Sequence, residues 1–448
     1  MEQLTPIISV IITVLVYLAY ARKHYDWMLI ALVFLLTGGY RLLPAAEHSI
    51  KPQDLLTLIL IIITAVELSK DRHYLRLKGD DFAMLVVILL CYHVFEYIVT
   101  VETGAEGMTD ALKVARVNAL YLLYFLYRKI PTSAVRNFFF INMKIAIAMG
   151  ILFYLQLVGV EGILQGRVDE AESASDQVRY MNAPFMYSTY FIYAVIAPRQ
   201  NIAARVAGII FWGGMLVLGM TRSSFLTIGL VIVIYLIIKQ SFRLAATLAV
   251  LAVAAYFVVL PVFQYRDSQG HGTSTVEDIQ LVLRGGDAVT MGESGGTFSF
   301  RIGMLLERLD YLVENPEYLL TGVGDIHEDS PNCYRRFNFS LGTVNAGCIY
   351  GHCIIESGDM AWVPLLLRYG LIGVFLYVWA YVIWFRRGFR FVRKETDIIF
   401  VIFALSVVSN FLSSFIGTTF TRADGLSSFV LYLAYLRTRN IEMGRKAF

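Results

Sequence analysis

Hydrophobic and polar positions alternate along this chain in long blocks rather than in single residues. Apolar runs of about 20 residues, the helical length that crosses a hydrocarbon core of about 30 Å, are separated by polar connections. The blocks predict about 13 membrane-spanning helices (about 12 to 14 as the range). They fall near 6–20, 27–43, 52–69, 81–101, 110–127, 136–159, 184–198, 206–221, 223–238, 243–262, 360–385, 398–418 and 425–437. The block at 110–127 carries Lys113 and Arg116, and that at 184–198 is short. One polar stretch, 263–358, is far longer than a helix connection requires. The predicted organisation is ten helices over 1–262, a large loop over 263–358, and three helices with a tail over 359–448. This is an all-α polytopic membrane protein.

Composition agrees with that class. Of 448 residues, 57% are hydrophobic and 16% charged, too few charges to cover a soluble surface of this size. The first apolar run follows MEQLT, which has no Lys or Arg, so an uncleaved first helix is expected rather than a signal peptide.

Charge placement sets the orientation. Connections after odd-numbered blocks are basic: Arg22 and Lys23, Lys70 and Arg72, Arg128 and Lys129, Arg199 and Arg205, Lys239 and Arg243, then RRGFRFVRKE and the tail RTRNIEMGRK. Connections after even-numbered blocks, such as VETGAEGMTD and VDEAESASD, are acidic or mixed. The positive-inside rule then predicts an outer N-terminus, a cytoplasmic C-terminus and an extracytoplasmic 263–358 loop.

The loop begins with polar, Gly-rich sequence, RDSQGHGTSTVED and RGGDAVTMGESGGTFS, which predicts a mobile segment. In SFRIGMLLERLDYLVENP, residues Ile302, Leu305, Leu306, Leu309, Leu312 and Val313 recur at helical spacing. They predict an amphipathic helix ended by Asn315 and Pro316. Gly322 and Gly324 of LLTGVG read as turn residues. GDIHEDS carries Asp325, His327, Glu328 and Asp329 without metal-ligand spacing, so it reads as a solvated turn and no metal or cofactor is expected. Cys333, Cys348 and Cys353 lie in an oxidising location, which predicts one disulfide of open pairing.

Several arginines fall on the predicted outer side, where the charge bias disfavours them: Arg222, Arg301, Arg335, Arg336, Arg368 and Arg422. A guanidinium binds phosphate oxygens through a planar fork and keeps its proton. Such charge-assisted bonds contribute roughly 1.5–3 kcal/mol each. Arginines held at the outer membrane surface thus suit capture of a lipid diphosphate.

Four pieces occur in order: TRSS at 221–224, SFRIGMLLERLDYLVENPEYLLTGVG at 299–324, the outer loop as a whole, and DMAWVPLLLRYGLIG at 359–373. Together they resemble the superfamily of O-antigen ligases and Wzy-type O-antigen or capsule polymerases. The resemblance implies a membrane-embedded glycosyltransferase of the C type that needs neither nucleotide sugar nor metal. It implies a glycan on undecaprenyl diphosphate as donor and another lipid-linked glycan as acceptor, at the outer face of the bacterial cytoplasmic (inner) membrane. By the same resemblance Arg222 and Arg301 hold the donor diphosphate and Asp359 takes the acceptor's proton. Arg368, Arg335, Arg336 and His352 are secondary candidates. Ligases carry His where this chain has Asp359, which with Met360 is followed by nine residues and then Gly370-Leu371-Ile372-Gly373; the acid favours the polymerase branch.

Further partners implied are membrane lipid and a chain-length regulator; nucleic acid is not expected. The alternatives are a ligase to lipid A core or protein, and a lipid-linked oligosaccharide flippase or transporter. The last predicts buried ionisable residues and paired discontinuous helices at the bilayer midplane, features the apolar pattern shows little of.

Overall fold

The computed structural model describes residues 4–43, 52–160, 162–165, 168–169, 179–180, 182–197, 201–219, 222–239, 275–284, 287–294, 297–344, 355, 360–387, 389–418 and 422–444. The first half contains α1 (Leu4–Ala21), α2 (Tyr25–Leu36), α3 (Pro52–Lys70), α4 (Asp81–Glu102), α5 (Met108–Ala115), α6 (Leu123–Tyr127) and α7 (Thr132–Leu155). Then come α8 (Tyr187–Ile196), α9 (Ile202–Leu218) and α10 (Arg222–Lys239). The loop region supplies α11 (Thr275–Arg284), α12 (Ala288–Ser294), α13 (Thr297–Glu314) and α14 (Pro331–Arg336). The chain closes with α15 (Trp362–Arg387), α16 (Phe389–Val392), α17 (Ile398–Ser414) and α18 (Ala423–Glu442). Strands are minor: β1 (Val168–Asp169) pairs antiparallel with β2 (Arg179–Tyr180), and β3 is Phe339–Val344.

The protein is an all-α membrane protein. Among the described residues four helices are long and apolar enough to cross a membrane: Pro52–Lys70, Asp81–Glu102, Thr132–Val158 and Trp362–Arg386. Shorter apolar helices coincide with most of the other predicted blocks. The block at 243–262 lies outside the described residues.

α4 shows why these helices sit as they do. Its outward face presents Met84, Ile88, Phe95 and Ile98, each 44–51% exposed, a face suited to lipid. The opposite stripe, Phe82, Leu85, Leu89, His93, Glu96 and Thr100, is buried at i, i+3, i+4 spacing. Polarity therefore increases inward. Asp80 caps the start by accepting the Ala83 N–H at 2.9 Å. α18 is the central post: from Ala423 to Leu436 nearly every residue is buried, and its serines and tyrosines bond to neighbours. Ser427 meets Tyr127 at 2.9 Å and Tyr432 meets Thr189 at 3.1 Å.

The block at 110–127 is not one helix. α5 ends at Ala115, a 3₁₀ turn spans Asn118–Leu122, and α6 is five residues long. The hydrogen-bond pattern tightens there while Arg116 and Val117 keep helical φ/ψ; Arg116 pairs with Asp54 at 2.6 Å, and Lys113 pairs with Asp110 at 2.6 Å. The block at 27–43 also stops early, at Leu36, where Gly38, Gly39, Tyr40 and Arg41 all take positive φ.

Among the described residues of 263–358, α11 and α12 form within the stretch expected to be mobile. α13 forms as expected, but its buried stripe runs through Met304, Arg308 and Leu312, while Val313 is 59% exposed. The Arg308 guanidinium stacks 4.0 Å from the Phe339 ring centroid and pairs with Glu307 at 2.6 Å. Cys333 is buried and has no disulfide partner among the described residues; Cys348 and Cys353 lie outside them. Burial pushes the Cys333 thiol up to about 11.

Candidate functional site

The two glycine motifs meet. α15 breaks at Gly370, whose φ of 56° and ψ of −161° leave the helix. The backbone groups freed by the break are taken up by the turn at 319–324. Val323 N–H donates to Leu367 C=O at 2.9 Å and Gly324 N–H to Arg368 C=O at 3.0 Å. In return Leu371 and Ile372 donate to the carbonyls of Leu319 and Leu320, both at 3.0 Å. This is how a discontinuous helix satisfies its main chain. A side chain at Gly322 would overlap the Arg368 carbonyl, and one at Gly370 the Leu320 carbonyl. Gly322 and Gly324 take φ of 82° and 87°, so they are turn residues as expected. Gly370 serves the break rather than close helix packing.

This clasp folds the GDIHEDS segment into the protein. Asp325, expected to be solvated, is fully buried. Its N–H donates to Thr100 Oγ1 at 2.9 Å, and its Oδ1 accepts from the Tyr369 hydroxyl at 2.9 Å. Oδ2 has no hydrogen-bond partner among the described residues. Burial pushes the Asp325 carboxyl up to about 6, against the opposing pull of Tyr369 and Arg368. Two residues on, His327 N–H donates to Glu106 Oε2 at 3.3 Å, while Asn332 Nδ2 donates to Glu106 Oε1 at 3.0 Å. Glu106 thus pins the segment to the end of α4. Burial lowers the His327 pKa, with Lys113 and Arg368 adding to the effect and Asp329 opposing it, so the ring favours its neutral form.

Beside this segment lies a cavity of about 290 Å³, near the lower bound of about 300 Å³ for ligand clefts. Among the described residues its wall carries four cationic side chains, Lys113, Arg116, Arg368 and Arg422, against a single acid, Glu328. Asn118, Tyr121, Tyr369 and Tyr377 line its polar floor, and Pro364, Leu365 and Leu426 its apolar side. The floor is continuous with a buried polar network. Asn118 Nδ2 donates to the Tyr369 hydroxyl at 3.0 Å, and His93 Nε2 meets the Tyr377 hydroxyl at 3.1 Å. Glu96 is buried one turn from His93, and its Oε1 has no partner among the described residues.

Of the arginines and acids expected at the site, the structure brings Arg368 to the cavity wall. Arg301 is half-buried in the second turn of α13 and is not part of that wall. Arg335 is exposed, and Arg336 stacks on Tyr318 at 4.6 Å. Arg222 begins α10, but its side chain lies outside the described residues, as do Asp359 and His352. Sequence reasoning placed Lys113 and Arg116 within a membrane-spanning block and gave Arg422 no part in the site beyond its predicted outer position. It also missed Asp325, although the GVG immediately before it signals a chain that can turn back into the bundle. Among the described residues no cluster of three His, Cys, Asp or Glu side chains is arranged to hold a metal.

The opposite end of α4 differs in kind. Asp80 pairs with Arg128 at 3.3 Å and Arg437 at 2.5 Å, and Asp397 with Arg136 at 2.7 Å and Arg439 at 3.5 Å. Lys239 Nζ donates to the Glu395 carbonyl at 3.0 Å. Connections read from sequence as basic and cytoplasmic thus touch one another at one end. The cavity opens near the other, since α4 runs from Asp80 to Thr100 between them.

No model of a known protein family matches the chain, and no curated protein matches it.

Proposed function

We propose that this chain is a metal-independent membrane glycosyltransferase of the O-antigen or capsular polysaccharide polymerase type. It moves a growing glycan from undecaprenyl diphosphate to a lipid-linked repeat unit at the outer face of the bacterial inner membrane. The observation that carries the reading is the cavity wall. Lys113, Arg116, Arg368 and Arg422 converge there beside a floor of phenols and an amide. A diphosphate needs several cations at once, and the developing leaving group needs them more as its charge grows. Hydroxyl and amide groups suit a sugar. The gathering of basic connections at the far end of α4 supports an outward-facing cavity by the positive-inside rule. Arg222 and Asp359 remain proposed contributors from the resemblance of their motifs.

The breaks in 108–127 and at Gly370, with Glu96 and His93 buried in α4, favour a second reading. Paired discontinuous helices and buried ionisable groups also mark transporters and flippases of lipid-linked oligosaccharides. Purified protein in liposomes with lipid-linked repeat units separates the two. A polymerase yields a glycan ladder with no transmembrane gradient. Movement of intact repeat units between leaflets without a ladder overturns the polymerase reading. In cells, single repeat units left on the final acceptor mark a missing polymerase, whereas a bare acceptor marks a missing ligase.

A further inference from the structure

The buried carboxyl of Asp325 is one phenol away from the cavity. Tyr369 lines the cavity, donates its hydroxyl proton to Asp325 Oδ1 at 2.9 Å and accepts from Asn118 Nδ2 at 3.0 Å. A phenol oxygen has a second lone pair. With Asn118 on one, the other is available to a hydroxyl entering the cavity. Resting on the polymerase reading, we propose that Tyr369 receives the proton of the acceptor sugar hydroxyl while passing its own to Asp325.

The step balances. The acceptor O–H bond breaks and its proton joins Tyr369 Oη; the Tyr369 proton moves to Asp325 Oδ1, leaving tyrosine neutral and Asp325 a neutral acid. The acceptor oxygen forms a bond to the donor anomeric carbon. The bond from that carbon to the diphosphate oxygen breaks, and the diphosphate leaves with the electron pair and one more negative charge. Arg368 and the other wall cations face that charge. Tyr369 is the group that touches substrate, and Asp325 acts through it. The unpartnered Oδ2 and full burial keep Asp325 from being stabilised as an anion by water, so accepting a proton is favourable. A structural role for Asp325 would not need a free oxygen, since the Thr100 and Tyr369 bonds alone already fix the turn.

The charged and titratable groups facing Asp325 are Arg368, Tyr369 and Tyr377 from α15 and Tyr92 and Glu96 from α4. The test is the single-turnover rate of the purified protein on lipid-linked repeats, followed from about pH 5 to about pH 8. The wild-type rate should climb along an acid limb centred near the value of about 6 that burial gives Asp325. Asp325→Asn and Tyr369→Phe should each lower kcat about 10²–10³-fold with little change in KM, and the residual rate of Asp325→Asn should lack the limb. Glu96→Gln should retain it. A limb that survives in Asp325→Asn, or disappears only in Glu96→Gln, overturns the relay while leaving the polymerase reading intact. Should Asp325→Asn fail to fold, the wild-type profile and Tyr369→Phe decide: a flat wild-type profile or an unchanged Tyr369→Phe rate overturns the relay. Wild-type protein that makes no polymer at any pH overturns both.

Discussion

The two ends of α4 use the same residue types to opposite effect. Around Asp80 and Asp397, carboxylates 1–3% exposed each take two guanidiniums, and the tail of α18 is locked between them. Around the cavity, the acids that meet cations sit outside the wall. Asp54 holds Arg116, Asp110 holds Lys113 and Asp424 holds Arg422 at 3.6 Å, each pair 18–61% exposed. Among the described residues Glu328 is the one acid on the wall itself. Charge is consumed at one end and displayed at the other. An ion pair buried among partners stabilises by not being broken; a cation held from behind is free to meet a ligand in front.

The contrast can be broken most severely through the clasp that shapes the cavity. Gly322→Ala and Gly370→Ala place a side chain onto a carbonyl at positive φ, and each should cost at least about 3 kcal/mol. Thermal unfolding in detergent should show a large drop in Tm or no folded protein. At the paired end, Asp80→Ala leaves Arg128 and Arg437 with an uncompensated charge and removes the α4 cap. The expected loss is about 3–5 kcal/mol, read from denaturant midpoints, with donor binding unchanged in whatever protein stays folded.

Asp325→Asn should move stability the other way. The folded pKa is raised from 3.8 to about 6, so the folded protein holds this proton more tightly than the unfolded chain. Stability is therefore fullest below about pH 4 and is lost as pH rises through about 6. The neutral amide escapes that penalty, of order 3 kcal/mol. The variant should have a higher Tm than wild type at pH 7, and the advantage should vanish in acid. An unchanged or lower Tm at neutral pH would show that the carboxylate is better accommodated than its burial indicates.

At the displayed end the effects belong to binding rather than folding. Arg368→Lys keeps the charge but loses the fork, and should raise the KM for donor about 10-fold or more, in line with roughly 1.5–3 kcal/mol for a charge-assisted bond. Arg422→Ala, 61% exposed, should change stability by under about 0.5 kcal/mol while weakening donor binding in a salt-dependent way. Equal losses of stability from Asp80→Ala and Arg422→Ala would erase the distinction between the ends.

Much of the frame was readable from sequence because lipid imposes one strong rule, a long apolar helix. α4, α7 and the 297–314 helix with its Asn315-Pro316 stop follow from pattern alone. The site was less readable. Lys113 and Arg116 look like intruders in a span until the chain is seen to break around them. Asp325 sits in an acidic, apparently solvated string, and only the main-chain pairing of 319–324 with α15 draws it inside. Local pattern reports what a segment prefers, whereas the clasp depends on two segments that are 46 residues apart at Gly324 and Gly370.

That pairing has a mechanical corollary. Four amide–carbonyl bonds tie the stretch 319–324 to the two sides of a severed helix, two to each side, so the turn and 362–369 are fastened to each other. Any tilt of the one carries the other, and Arg368 and Tyr369 ride on it together. Because the stitching runs through main-chain atoms, the side chains of Leu319, Leu320, Leu371 and Ile372 can vary in shape without loosening the seam, provided the glycines stay.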